Sequence, residues 1–278
     1  MSTPGRPPRK CRRIVGVSTK MYFSADKTTN FTSTFSSNLN DLLEPERLKI
    51  ASTTDVFIIP DFIQLRGVID SLRSRPPNLG GTESILVGAQ DCHWEDYGSF
   101  TGEVSPAVLA AVGCRIVELG HAERRRLFGE TDETTAKKAA AVVRNGMIPL
   151  VCVGEVSQPQ VGTEGLEKAV EEVMVQVRSV LAAIADKEAE VILAYEPVWA
   201  IGASEPAGVD HVLGVVRRIR ENEEFQARME GSVRILYGGS AGPGLFDKLK
   251  SELDGLFLGR FAHDPEQFVK TIREVAEA

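Results

Sequence analysis

The runs Ile148-Pro149-Leu150-Val151-Cys152-Val153 and Val191-Ile192-Leu193-Ala194-Tyr195, with Glu164–Lys187 between them, decide the fold. The outer two are apolar, rich in β-branched residues and the length of strands. Between them, Leu166, Val170, Val173, Val177, Val180 and Leu181 recur mostly at threes and fours, which is one face of a helix. Two strands joined by a helix form a parallel crossover unit.

The rhythm continues in both directions. Strand-length apolar runs recur at Ile14–Val17, Val56–Ile59, Ile85–Gly88, Arg115–Leu119, Val233–Tyr237 and Gly255–Leu258. Val209–Gln226 and Glu266–Ala278 again read as helices. Each strand candidate is followed by a segment able to hold a helix, which predicts an α/β protein, a single-domain (β/α)8 barrel over residues 14–278. An open doubly wound sheet would carry a Gly-rich fingerprint after an early strand. Here the first strand runs into Ser18-Thr19-Lys20-Met21, and a P-loop is absent too.

Composition narrows the function. Of 278 residues, 42% are hydrophobic and 26% charged, which excludes a largely disordered chain. The net charge of −7 argues against general nucleic-acid binding. No apolar run approaches the ~18 residues of a membrane span, so a soluble protein is expected. Cys11, Cys92, Cys114 and Cys152 are far apart and form no C-x-x-C pair, which suggests neither a zinc site nor a disulfide framework. Free thiols fit a reducing compartment, and a cytoplasmic location is expected. Residues 1–13, MSTPGRPPRKCRR, are basic and Pro-rich without the apolar core of a secretory signal. They are expected to be a disordered tail outside the fold.

In such a barrel, chemistry sits where strands end and lead into helices. The polar residues after the apolar runs are Lys20, Gln90, His121, Glu155, Glu196, Ser240 and Arg260. Glu196, before Pro197, is placed to become a general base if desolvated. His121, just before a helix N-terminus, would be kept neutral. Lys20 could steady an anion. Taken singly, each also suits an ordinary barrel rim. Together they suit proton abstraction next to a carbonyl, with the enediolate stabilised. His93, His211 and His263 end no apolar run this way and read as structural. Gly238-Gly239-Ser240 and Gly259 offer backbone N–H groups to a phosphate, or tight turns that need glycine. The loop Trp199-Ala200-Ile201-Gly202 reads as a lid or as an ordinary connection.

Several stretches carry a resemblance. They are residues 194–202, AYEPVWAIG; 119–125, LGHAERR; 128–133, FGETDE; and 237–240, YGGS. Residues 88–92, GAQDC, and 100–103, FTGE, add to them. The chain resembles the triosephosphate isomerase family along nearly its full length after the tail, and that family is itself a standard example of acid–base tuning. The resemblance implies that Glu196 is the catalytic base, His121 the neutral electrophile and Lys20 the anion-stabilising lysine, with Glu123 beside it. It implies a closing lid at Pro197–Ala207, phosphate-gripping positions at Gly202, Ser240 and Gly259, and a buried, structural Cys152. It implies a homodimer in which Phe100-Thr101-Gly102 completes the partner's site, a phosphorylated small sugar as substrate, and no metal or organic cofactor.

The departures fall in the substrate pocket. The family's Asn-Trp-Lys-Met is Ser18-Thr19-Lys20-Met21 here, and a lost oxyanion donor can cost ~10²–10³ in kcat. The lid's Thr-Gly-Lys-Thr-Ala is Ala203-Ser204-Glu205-Pro206-Ala207, the Gly-Gly after strand eight is Gly259-Arg260, and Ala122 replaces a serine. Ser18 and Arg260 also resemble the branch that isomerises tetrulose phosphates. Glycolytic interconversion of dihydroxyacetone phosphate and glyceraldehyde 3-phosphate is therefore the first expectation. Isomerisation of a four-carbon ketose phosphate of the L-erythrulose 1-phosphate type is the alternative, and a non-catalytic phosphate-ligand-binding barrel is the third.

Overall fold

Eight parallel strands close on themselves in chain order: β1 (Arg13–Ser18), β2 (Thr54–Ile59), β3 (Ile85–Ala89), β4 (Ile116–Leu119), β5 (Ile148–Val153), β6 (Val191–Tyr195), β7 (Val233–Gly239) and β8 (Gly255–Leu258). The computed structural model describes residues 12–74, 85–160, 162–202, 207–228, 230–239 and 241–278. Closure comes from β1 against β8, with Ile14 opposite Gly255 and Val17 opposite Leu258. Around the barrel lie α1 (Ala25–Asn40), α2 (Glu44–Thr53), α3 (Phe62–Ser74), α4 (Pro106–Val112), α5 (Ala122–Phe128), α6 (Asp132–Arg144), α7 (Thr163–Ala183), α8 (Val209–Glu221), α9 (Glu223–Gln226), α10 (Phe246–Leu249) and α11 (Pro265–Glu277). Among the described residues no helix is long and apolar enough to cross a membrane.

The strands read as unbroken apolar runs because both faces are covered. Ile14, Phe57, Leu86, Ile116, Leu150 and Ile192 belong to the cluster that fills the interior. Val15, Val56, Val87, Val117, Val151 and Leu193 belong to the larger cluster between strands and helices. The interior leaves no spare volume. A Cβ on Gly16 would lie 2.2 Å from the Phe57 ring, so the small residue on β1 is what admits the large one on β2.

The helices differ from expectation at two points. The segment read as one helix from Val209 to Gln226 is two, because Asn222 is extended and accepts the Glu224 N–H at 3.0 Å. Asparagine competes for backbone in this way and favours N-caps over helix interiors. The helix read as Glu164–Lys187 ends at Ala183, where Ile184 turns extended and is buried.

At the N-terminal end of the barrel, charges replace apolar packing. Arg12 Nε donates to Asp55 Oδ1 at 2.9 Å, and Arg234 Nη1 donates to Asp55 Oδ2 at 2.8 Å. Arg234 also bonds Glu190. Arg12, Asp55 and Arg234 are buried. Arg12 and Arg13, read from sequence as tail, thus belong to the barrel; residues 1–11 of that tail lie outside the described residues. Removing one partner of a buried ion network strands the others. Asp55→Ala should therefore lose about 3–5 kcal/mol of stability in urea denaturation.

Candidate active site

At the opposite end, the strand termini surround a cleft of about 1030 Å³. Ser18, Lys20, His121, Glu123, Glu196, Gly202, Gly259 and Arg260 all line it. Arg260 is exposed at the mouth. Thr101 is exposed and does not line this cleft, and Ser240 lies outside the described residues.

Glu196 follows β6 and is buried; its N–H donates to the Val153 carbonyl at 2.8 Å. Its carboxyl lies across the backbone of Gly238, where a Cβ would come within 2.2 Å of Oε1. Gly238 is thus required by Glu196 rather than by a turn. Burial pushes the Glu196 carboxyl up to about 7, against the opposing pull of Lys20.

His121 caps α5, its Nδ1 accepting the Glu123 N–H at 3.1 Å. An accepting Nδ1 places the ring proton on Nε2, which lies 3.4 Å from Glu196 Oε2. Burial, with Lys20 nearby, lowers the imidazole to about 4, so it is neutral at pH 7. The pair is one carboxyl near neutrality and one imidazole that donates without being charged.

Lys20 is the one non-glycine residue with a positive φ, 48°, among the described residues. The strained backbone is held by Gln90 Nε2, which donates to the Lys20 carbonyl at 2.8 Å. Lys20 Nζ bonds Glu123 Oε1 at 2.8 Å. Burial alone would depress the ammonium, but the hydrogen bond and charge of Glu123 outweigh it and keep Lys20 charged.

Two features escaped the sequence reading. One is Glu118, inside β4, which is buried and whose carboxyl is near enough to the Ser18 side chain to be acted on by it. Burial pushes Glu118 up to about 8. The signal was available: a glutamate flanked by Val117 and Leu119 must be either paired or kept neutral. The other is the anchorage around residues 195–211. Glu155 accepts from Trp199 Nε1 at 2.9 Å and from Tyr195 Oη at 3.1 Å, and lies 2.8 Å from His211 Nε2. Burial raises the Glu155 carboxyl, yet the bonds from His211 and Trp199 bring it below its ordinary value. Farther along, the Ala207 N–H donates to Tyr237 Oη at 3.1 Å. Residues 203–206, the departing half of the expected lid, lie outside the described residues.

Gly202 (φ 76°) and Gly239 (φ 114°) adopt backbone that favours glycine, on the side of the cleft where Gly259 follows β8. Cys152 is buried beneath, and burial holds its thiol well above the ordinary range, which suits packing and not nucleophilic attack.

Comparison with known proteins agrees with this geometry. The family model described as triosephosphate isomerase matches residues 13–275. The chain is 42% identical to an L-erythrulose-1-phosphate isomerase of Pectobacterium atrosepticum, over 91% of this chain and 92% of that protein. It is 41% identical to one of Rhizobium etli, over 80% of each. It is 35% identical to a triosephosphate isomerase of Aquifex aeolicus, over 94% of this chain and 98% of that protein. With its closed eight-stranded barrel and a match over nearly its whole length, the chain belongs to the triosephosphate isomerase family.

Proposed function

We propose that this protein isomerises a four-carbon ketose phosphate of the L-erythrulose 1-phosphate type. The observation that carries the reaction class is the buried carboxyl of Glu196 facing the Nε2–H of a neutral His121, with charged Lys20 in the same cleft. The sequence reading put the triose substrate first, because both branches share base, imidazole and lysine. The greater identity to the erythrulose-phosphate isomerases favours the reverse order. Ser18, in place of a longer asparagine, supports it by leaving room beside the reacting carbons.

The phosphate is gripped by backbone N–H groups at Gly202 and Gly259, where glycines let N–H groups approach an anion, with Ser240, outside the described residues, the third position the resemblance implies. Glu196 removes the proton from C3, next to the C2 carbonyl. His121 and Lys20 stabilise the resulting enediolate as donors aimed at developing charge. Glu196 returns the proton to C2, and the carbonyl now stands at C3. Renumbered from the other end, the product is erythrulose 4-phosphate, with atoms and charge conserved. Glu123 holds Lys20, and Arg260 meets the substrate at the mouth. The segment Pro197–Ala207 serves as the lid, anchored at one end through Trp199 and at the other through Ala207.

A homodimer in the cytoplasm is part of the proposal. Tyr97, Phe100 and Phe128 are exposed on this chain, which leaves apolar surface for a second copy to cover. Sedimentation should return about twice the 30.3 kDa chain mass.

The substrate is tested by kcat/KM for L-erythrulose 1-phosphate and dihydroxyacetone phosphate side by side. The tetrulose should win by about 10²-fold or more. A faster triose would restore the first expectation, and turnover of neither would favour a binding role. The base is tested by pH. Only ionised Glu196 accepts the proton, so kcat/KM should be lost as pH falls through about 7. Glu196→Asp, which withdraws the carboxylate by one methylene, should cut kcat by about 10² with little change in KM.

A further inference from the structure

On the four-carbon reading, the carbon that loses its proton bears a hydroxymethyl group that a triose phosphate lacks. That group needs space and a hydrogen-bond partner beside the reacting atoms. The interior of the barrel is otherwise apolar at this depth, with Ile59, Leu86, Ile116, Cys152 and Phe257 filling it. Glu118 breaks that pattern. It is 3% exposed, its carboxyl lies close to Ser18, and its Oε2 has no hydrogen-bond partner among the described residues. An apolar side chain would fill this place without the desolvation cost of a carboxyl. Ser18, in turn, lines the cleft directly.

We propose that Ser18 and Glu118 form the subsite that recognises the terminal hydroxymethyl group of the substrate, and so are the residues that select four carbons over three. The Ser18 hydroxyl meets the substrate hydroxyl from the cleft wall, and Glu118, which lies behind it and does not itself line the cleft, acts as the positioning residue that orients that hydroxyl. The groups that act on Glu118 are Ser18 and Lys20 from the β1 end, Glu196 from β6 and Glu123 from α5, with the Cys152 thiol of β5 also nearby. In that company Glu118 stays protonated at neutral pH, since burial and Glu196 both disfavour its charge. A protonated carboxyl can donate as well as accept, and it adds no negative charge next to the enediolate. The same logic explains why the position tolerates a carboxyl so close to the base.

This inference rests on the four-carbon reading, and its test separates the two. Glycerol 3-phosphate and erythritol 4-phosphate are unreactive and differ by one CHOH unit. Calorimetry on the full-length wild type should give a tighter dissociation constant for the tetritol by about tenfold or more. In Glu118→Leu that ratio should collapse toward one, and isosteric Glu118→Gln, which keeps donor and acceptor, should restore most of it. Ser18→Ala should also reduce the ratio. Parallel weakening of both ligands in Glu118→Leu, or an unchanged ratio, would overturn the subsite while wild-type turnover of L-erythrulose 1-phosphate left the reaction standing. Wild type inactive on that sugar would overturn both.

Discussion

A carboxyl group and an imidazole, Glu196 and His121, face each other across 3.4 Å, each largely buried at the base of the cleft. Each is moved from its ordinary value by the same cause, burial, which disfavours charge on both and so raises the carboxyl and lowers the imidazole. Withdrawal from water makes the carboxylate a stronger base and keeps the imidazole neutral. The surrounding residues keep that arrangement in place. Gly238 withholds a side chain so that Glu196 can lie flat, and the Glu123 amide fixes which imidazole nitrogen carries the proton. Lys20 supplies the positive charge from a strained backbone that Gln90 pins.

Charge balance at the site is correspondingly spare. Glu123 offsets Lys20, while burial pushes both Glu118 and Glu196 toward their neutral forms. The loop that would seal the site is tied at both described ends to side chains of the barrel and not to the loop itself. Trp199 is held by Glu155, and Ala207 by Tyr237 of β7. The segment is thereby tied to the strands that also carry Glu196.

The barrel was legible because its strands are buried on both faces, so each appears as an unbroken apolar run with a polar residue where it ends. That same habit hid Glu118: inside such a run, a single carboxylate reads as noise unless its burial is known. Glu196, His121 and Lys20 could be found because each stands at a strand end, where the fold itself assigns significance. Gly238 could be seen but not understood, since its reason is the side chain of a residue on another strand. His211 read as structural; it lies 2.8 Å from Glu155, beside the anchor of Trp199. The break at Asn222 was visible as a capping residue within a helical pattern that continued past it.

The ion network at the far end of the barrel joins parts of the chain made at very different times. Asp55 on β2 is bonded by Arg234 on β7, 179 positions later. At about 5–20 residues per second, roughly 10–40 s of synthesis separate the two on the ribosome. Until β7 emerges, the Asp55 carboxylate lacks its Arg234 partner. The ion network at the N-terminal end of the barrel is therefore completed only after the seventh strand has been made.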